Sequence, residues 1–302
     1  MNDNLRAALL MIAAMAGLSA EDLFIKMLLD RVPMGEILLI LGTGGTLAMF
    51  VVARIRGDRL LDPLMLSRPV LIRNGAEMAA QVLGFTALAL LPLSLVTSIG
   101  QAAPIVTTLG AALFLGEVVG WRRWSAIFVG LIGVLMILRP GSEAFQPAMI
   151  LSALAVCCIA ARDLATRRAP RELGTMPLNF WGYATTIPSG LLMLIFGGQA
   201  PVWPEPMDQV ILAAAVVMGV SFYFILTLAL RMGESSVVVP LRYTRLVFVL
   251  ILAALVLGER PSAMMLAGAA LVTLSGLYTL LREARLKRRR RQRPSPEPMP
   301  PL

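Results

Sequence analysis

The sequence predicts an all-α polytopic membrane protein with ten transmembrane helices in two inverted five-helix repeats. Three observations predict it. First, 58% of the 302 residues are hydrophobic and 15% are charged, against about 45–50% and about 25% in soluble domains. Second, apolar runs near the ~20 residues that cross a ~30 Å hydrocarbon core fill almost the whole chain. Third, the two halves resemble each other at a constant offset of about 142 residues.

The crossings read, in order, as 5–28, 34–54, 69–91, 94–115, 122–139, 147–167, 176–197, 208–230, 236–257 and 262–282. Turn and charge signals separate them, such as Asp30-Arg31-Val32-Pro33, Leu91-Pro92, Arg139-Pro140-Gly141 and Gly258 to Pro261. A signal peptide ending near Leu18-Ser19-Ala20 also fits the first run, but the repeat needs that run as a helix.

Basic residues set the orientation. With the N-terminus in the cytoplasm, the inner loops hold Arg6, Arg54, Arg56, Arg59, Arg68, Arg122, Arg123, Arg167, Arg168, Arg171 and Arg231, and the tail adds Arg282 to Arg293. The outer side keeps only Lys26, Arg31, Arg139 and Arg260. This asymmetry places both termini in the cytoplasm, as expected for a bacterial cytoplasmic (inner) membrane protein. The net charge of +9 therefore reports topology, and no nucleic-acid recognition element accompanies it.

The repeat rests on three matches. LFLGE (113–117) matches LVLGE (255–259), GVLMILR (133–139) matches GLYTLLR (276–282), and EDLFIK (21–26) matches RDLATR (162–167). An odd number of helices per copy turns the second copy upside down, a signature of transporters. The expected units are 1–140, 141–283 and a disordered basic, Pro-rich tail at 284–302. That tail fixes the C-terminus inside and can meet anionic lipid.

These features, with APIVTTLGAALFLGE (103–117), YTRLVFVLILAALVLGERP (243–261) and the Asp-Leu-x-x-Lys of crossing 1, resemble the EamA-like branch of the drug/metabolite transporter superfamily. The resemblance covers residues 5–282. It implies a small-molecule carrier whose cavity is lined mainly by crossings 1, 3, 4, 6, 8 and 9. The second half departs from the pattern: Leu246 stands opposite Pro104, and its proline comes earlier, at Pro240.

The repeat also sorts scaffold from site, because residues shared by both halves serve the fold. Glu117 and Glu259 are shared, and read as surface-facing caps or as ties between the corners of crossings 4–5 and 9–10. Asp22 with Lys26, and Asp163 with Arg167, read as i, i+4 surface pairs. Buried polar residues of one half only are the substrate candidates. On crossing 3, Arg73, Glu77 and Gln81 share a face with Asn74 beside them. Arg73 reads as paired with Glu77 and snorkelling to the headgroups. Glu77, about 12 Å inside, is the candidate for proton coupling. Ser98 and Gln101 on crossing 4 and Glu21 on crossing 1 join the set.

Arg242 and Arg245 share one face of crossing 9, with Gly100 and Ala103 as counterparts. Arg245 lies about 13 Å inside, too deep to snorkel easily. Two readings stay open: pairing with Glu77 or Glu21, or a clamp for an acidic substrate group, since a guanidinium forks onto a carboxylate. Tyr243 and Tyr223 would complete the pocket, while Trp181 and Tyr183 read as an interfacial belt.

The sequence offers no nucleophile–base set, no phosphate loop and no cofactor motif. Cys157 and Cys158 alone cannot fill a zinc site and read as small packing residues. The expected function is secondary transport of a small metabolite, acidic or zwitterionic and amino-acid-like. A larger aromatic, vitamin- or nucleoside-like substrate is the alternative.

Overall fold

The computed structural model describes residues 3–115, 120–170, 172–232 and 238–291. They form α1 (Asp3–Leu28), α2 (Met34–Arg56), α3 (Arg68–Leu90), α4 (Leu93–Gly100), α5 (Ala103–Phe114), α6 (Trp121–Leu138), α7 (Ala148–Arg168), α8 (Thr175–Ala184), α9 (Thr186–Gly197), α10 (Pro206–Met232), α11 (Thr244–Val256) and α12 (Ala263–Arg291). Short 3-10 turns cover Pro63–Leu66 and Val239–Tyr243. Among the described residues, 8 spans are long and apolar enough to cross a membrane, and Trp124–Leu138 is a shorter apolar helix. The polar α3 completes the ten crossings.

The fourth, seventh and ninth crossings are bent. Pro104 has no N–H for the Gly100 carbonyl, so α4 gives way to α5 at Gln101-Ala102. Pro188 does the same to Ala184, and the chain breaks at Thr185 between α8 and α9. The ninth crossing starts as a 3-10 turn with Pro240 near its start, then continues as α11 from Thr244. Gln101-Ala102 and Tyr243-Thr244 are matched positions of the repeat. Both halves therefore bend at one place, although the second does so with an earlier proline.

Helix pairing repeats with the sequence. Crossing 1 packs on crossing 8, and crossing 6 on crossing 3; crossing 1 meets crossing 9, and crossing 6 meets crossing 4. Crossings 2 and 7 pair, as do 5 and 10. Exchanging the two halves leaves this pattern unchanged, the mark of a pseudo-two-fold axis. Glycines permit the self-paired contacts: a Cβ on Gly133 would sit 2.8 Å from the Gly268 carbonyl oxygen, and one on Gly35 would sit 2.6 Å from that of Gly190. Small residues at such crossings let backbones touch, which supplies dispersion where lipid removes the hydrophobic drive.

One end of the bundle is sealed. Leu28, Val32, Leu91 and Leu93 are buried there. The corner between α3 and α4 has backbone groups that find no water in a membrane and must be satisfied by protein. Lys26 Nζ donates to the Leu88 and Leu91 carbonyls at 2.7 and 2.8 Å. The Glu259 carboxylate accepts from the Leu93 and Ser94 N–H groups at 2.7 and 3.0 Å and from the Ser94 hydroxyl. Two expectations are corrected here. Glu259 ties to the corner of crossings 3 and 4, and Lys26 caps carbonyls instead of pairing with Asp22. Glu117 lies outside the described residues.

At the other end α12 runs on to Arg291, where the sequence suggested disorder from 284. Leu286 and its Glu, Lys and Arg neighbours are good helix formers that extend a helix already nucleated. Residues 292–302 lie outside the described residues. Cys157 and Cys158 are free, and Cys157 is exposed and not a packing residue.

Candidate functional site

The polar residues of the bundle interior converge from α1, α3, α7, α8, α10 and the ninth crossing. Two ion-pair groups dominate. On one wall, Arg245 Nη2 lies 2.6 Å from Asp22 Oδ2. On the other, Arg162 Nη1 contacts both Glu77 oxygens at 3.2 and 3.1 Å, while its Nε and Nη2 reach Asp163 Oδ1 at 3.0 and 2.9 Å. A guanidinium fork that joins two carboxylates fixes α3 against α7 as well as orienting the charges.

Arg242 differs from these. Among the described residues it has no ion pair and no hydrogen bond, and it is solvent-accessible. Asp163 and Arg162 of crossing 6, Tyr223 of crossing 8 and Arg245 surround it electrostatically. Its side chain is exposed, with charged and hydroxyl groups of three crossings near enough to act on it electrostatically, and so is free to meet a polar ligand. Glu21 is the acidic counterpart. It has no cationic hydrogen-bond partner among the described residues, and its carboxylate occupies the space a Cβ on Gly219 would take.

The aromatic wall is built around Tyr223. Its hydroxyl pairs with Asn179 Oδ1 at 3.1 Å, and its ring meets Tyr183 edge-on at 5.7 Å. Gly45 makes room for the Tyr183 ring, so Tyr183 belongs to the interior and not to an interfacial belt. A cavity of about 410 Å³ runs from Arg56 and Asp58, past Met49, Met176 and Phe224, to Asn179 and Tyr223. That volume falls in the range of small-molecule sites. It opens at the end opposite the sealed corner.

Other candidates sit elsewhere. Gln81 spans α3 and α9, donating to Thr186 Oγ1 and accepting from the Ser189 hydroxyl, both at 2.9 Å. Ser98 is fully buried and donates to the Ser94 carbonyl at 2.7 Å. Tyr243 is buried against Gly276, on the α12 side. Gln101 is half-buried at the bend between α4 and α5. Asn74 accepts from Arg73 Nη1 at 2.9 Å. Arg73 itself is 7% exposed and packs on Gly182, which corrects the snorkelling expectation and leaves Glu77 to Arg162.

Asp22, Arg162, Asp163 and Asn179 were missed. The repeat sieve could have found Arg162, since its first-half counterpart is Glu21. The two aspartates were hidden by that sieve, because being shared made them look structural.

The comparisons agree with this architecture. The model of the EamA-like transporter family matches twice, over residues 5–139 and 146–281. The chain is 25% identical over 203 residues to an S-adenosylmethionine uptake transporter of Rickettsia conorii, covering 67% of this chain and 68% of that one. It is 30% identical over 225 residues to a riboflavin transporter of Rhizobium johnstonii, covering 74% and 72%. It is 26% identical over 276 residues to a pseudopaline exporter of Pseudomonas aeruginosa, covering 88% and 93%. A solved crystal structure shares the fold, with a TM-score of 0.60 and 21% identity over 96% of this chain and 100% of that one. The twice-matching family model, read with the ten crossings and the two-fold pairing pattern, shows that this integral membrane protein belongs to the EamA-like transporter family, whose relatives carry small metabolites.

Proposed function

We propose that this protein is a secondary transporter of a zwitterionic, amino-acid-like metabolite, working by alternating access in a bacterial cytoplasmic membrane with both termini inside. The observation that supports it is Arg242, a bare guanidinium in the interior. Intramembrane charges are costly, at about 2.5–3.5 kcal/mol on insertion scales, and mark function when they stay unpaired. A substrate carboxylate supplies the missing partner. Glu21 receives the substrate's cationic group, so one molecule satisfies both. S-adenosylmethionine, named for one set of relatives, carries such an amino-acid group. A substrate carboxylate that also competes for Arg162 releases Glu77 to bind a proton, which ties substrate binding to proton coupling.

The cavity beside Tyr223 supports a second reading, a carrier for a larger aromatic, vitamin-like molecule. Its Met49, Met176 and Phe224 lining suits a planar ring, and riboflavin is named for another relative.

A thermal-stability screen of the purified protein separates the two. A ligand at 100 times its dissociation constant stabilises by about 2.7 kcal/mol. Amino-acid-like compounds should raise the melting temperature of the parent and not of Arg242→Ala or Glu21→Gln. Stabilisation by flavin-like compounds that persists in both variants would select the second reading. Transport itself is then measured as uptake of the stabilising compound into proteoliposomes.

A further inference from the structure

We propose that a groove between α6 and α12 binds one anionic phospholipid. The two helices touch at Gly133 and Gly268. Toward the Trp121 end a cavity of about 390 Å³ lies between them. On α6, Arg122, Ser125 with Ala126, and Val129 follow one another at helical spacing on the groove side. On α12, Leu274 and Tyr278 line the groove, and Arg282 follows one turn beyond Tyr278 on the same helix face.

Each stripe passes from a guanidinium, through a hydroxyl, to an aliphatic side chain over about two turns. That is the polarity order of a phospholipid: phosphate, glycerol ester, acyl chain. Trp121 and Tyr278 are exposed at the polar end, where amphipathic rings settle at headgroup depth. The Arg122 guanidinium lies over the Trp121 ring at 5.3 Å, which holds it at the mouth.

Charge decides the headgroup. Among the described residues neither Arg122 nor Arg282 has a carboxylate partner, and the groove lining contains no Asp or Glu. Guanidinium groups without a carboxylate among the described residues take a phosphate whose headgroup brings no cation of its own. Phosphatidylglycerol fits that requirement and phosphatidylcholine does not. None of the groove-lining residues belongs to the central polar site, so the proposal stands independently of the transported substrate.

The test is native mass spectrometry of the full-length protein in detergent, titrated with dioleoyl-phosphatidylglycerol or dioleoyl-phosphatidylcholine. The parent should retain one phosphatidylglycerol in preference to phosphatidylcholine. Arg122→Gln with Arg282→Gln should lower that affinity roughly tenfold or more. Arg54→Gln with Arg59→Gln removes equal charge at the same end and should leave it unchanged. Leu274→Trp fills the groove and should remove the adduct with both arginines in place. Equal retention of the two lipids, an equal loss in the control pair, or a dimer that excludes lipid from the groove would each overturn the proposal.

Discussion

Asp22 on α1 and Arg245 on α11 meet at 2.6 Å, joining the first crossing of one repeat to the fourth of the other. The same residues are spaced so that sequence alone gives each a different partner, Lys26 for Asp22 and Glu77 or Glu21 for Arg245. The pair is half-screened, with side-chain exposures of 19% and 37%, so its worth lies between a surface and a buried bridge. Arg245→Ala should lower the melting temperature by the equivalent of about 1–3 kcal/mol, because Asp22 is left without its counter-charge. Adding Asp22→Asn should recover part of the loss. A double-mutant cycle on melting temperatures measures the coupling, and strict additivity would show the contact to be energetically silent.

Arg242 should behave in the opposite way. It has no partner to lose, so Arg242→Ala should change stability by no more than about 0.5 kcal/mol. Ligand-induced stabilisation should vanish in the same variant. The contrast with Arg245 is the discriminating result: one arginine supports the fold, the other the substrate. A large melting-temperature fall in Arg242→Ala would place it in the scaffold instead.

The sealed end depends on Glu259 and Lys26. Glu259→Ala removes the acceptor for the Leu93 and Ser94 N–H groups, and unsatisfied buried donors cost about 1–3 kcal/mol. Lys26→Met should cost less, since it removes two hydrogen bonds where Glu259 accepts three, and an under-satisfied carbonyl is tolerated better than an orphaned N–H. Thermal unfolding in detergent ranks the two, and the reverse order would contradict the capping account.

Glycine contacts should be unforgiving only where backbones touch. Gly133→Val forces α6 and α12 apart, at about 1–3 kcal/mol. Gly75 on α3 has no atom within 4 Å of an added Cβ, so Gly75→Ala should be neutral or stabilising by about 0.5–1 kcal/mol. Melting temperatures of the two variants check the pair.

Much of the fold was legible from local signals. Apolar run length places the crossings, because a bilayer admits only helices of that length. The two LGE motifs and the Leu-Arg ends of GVLMILR and GLYTLLR reveal the repeat, because short matches recur in the same order at one offset. The bends at Gln101-Ala102 and Thr185 were not marked as breaks, although Pro104 and Pro188 stood nearby, since proline alone does not say whether a helix kinks or packs straight. The site was legible in part. Arg242, Arg245, Glu77, Glu21 and Tyr223 were identified as buried polar residues, but their pairing was not.

The sequence by itself determined a ten-crossing membrane protein with duplicated halves and costly charges at mid-depth. Those properties follow from composition and period, which any single helix carries alone. Only the tertiary structure decided that Arg245 belongs to Asp22, that Arg162 joins Glu77 to Asp163, and that Arg242 is left over. Pairing depends on which helix faces come together, and here residues more than 200 positions apart meet, as in Asp22 and Arg245 with a separation of 223. Arg242 and Arg245 stand one turn apart on the same crossing, yet only Arg245 reaches a carboxylate among the described residues.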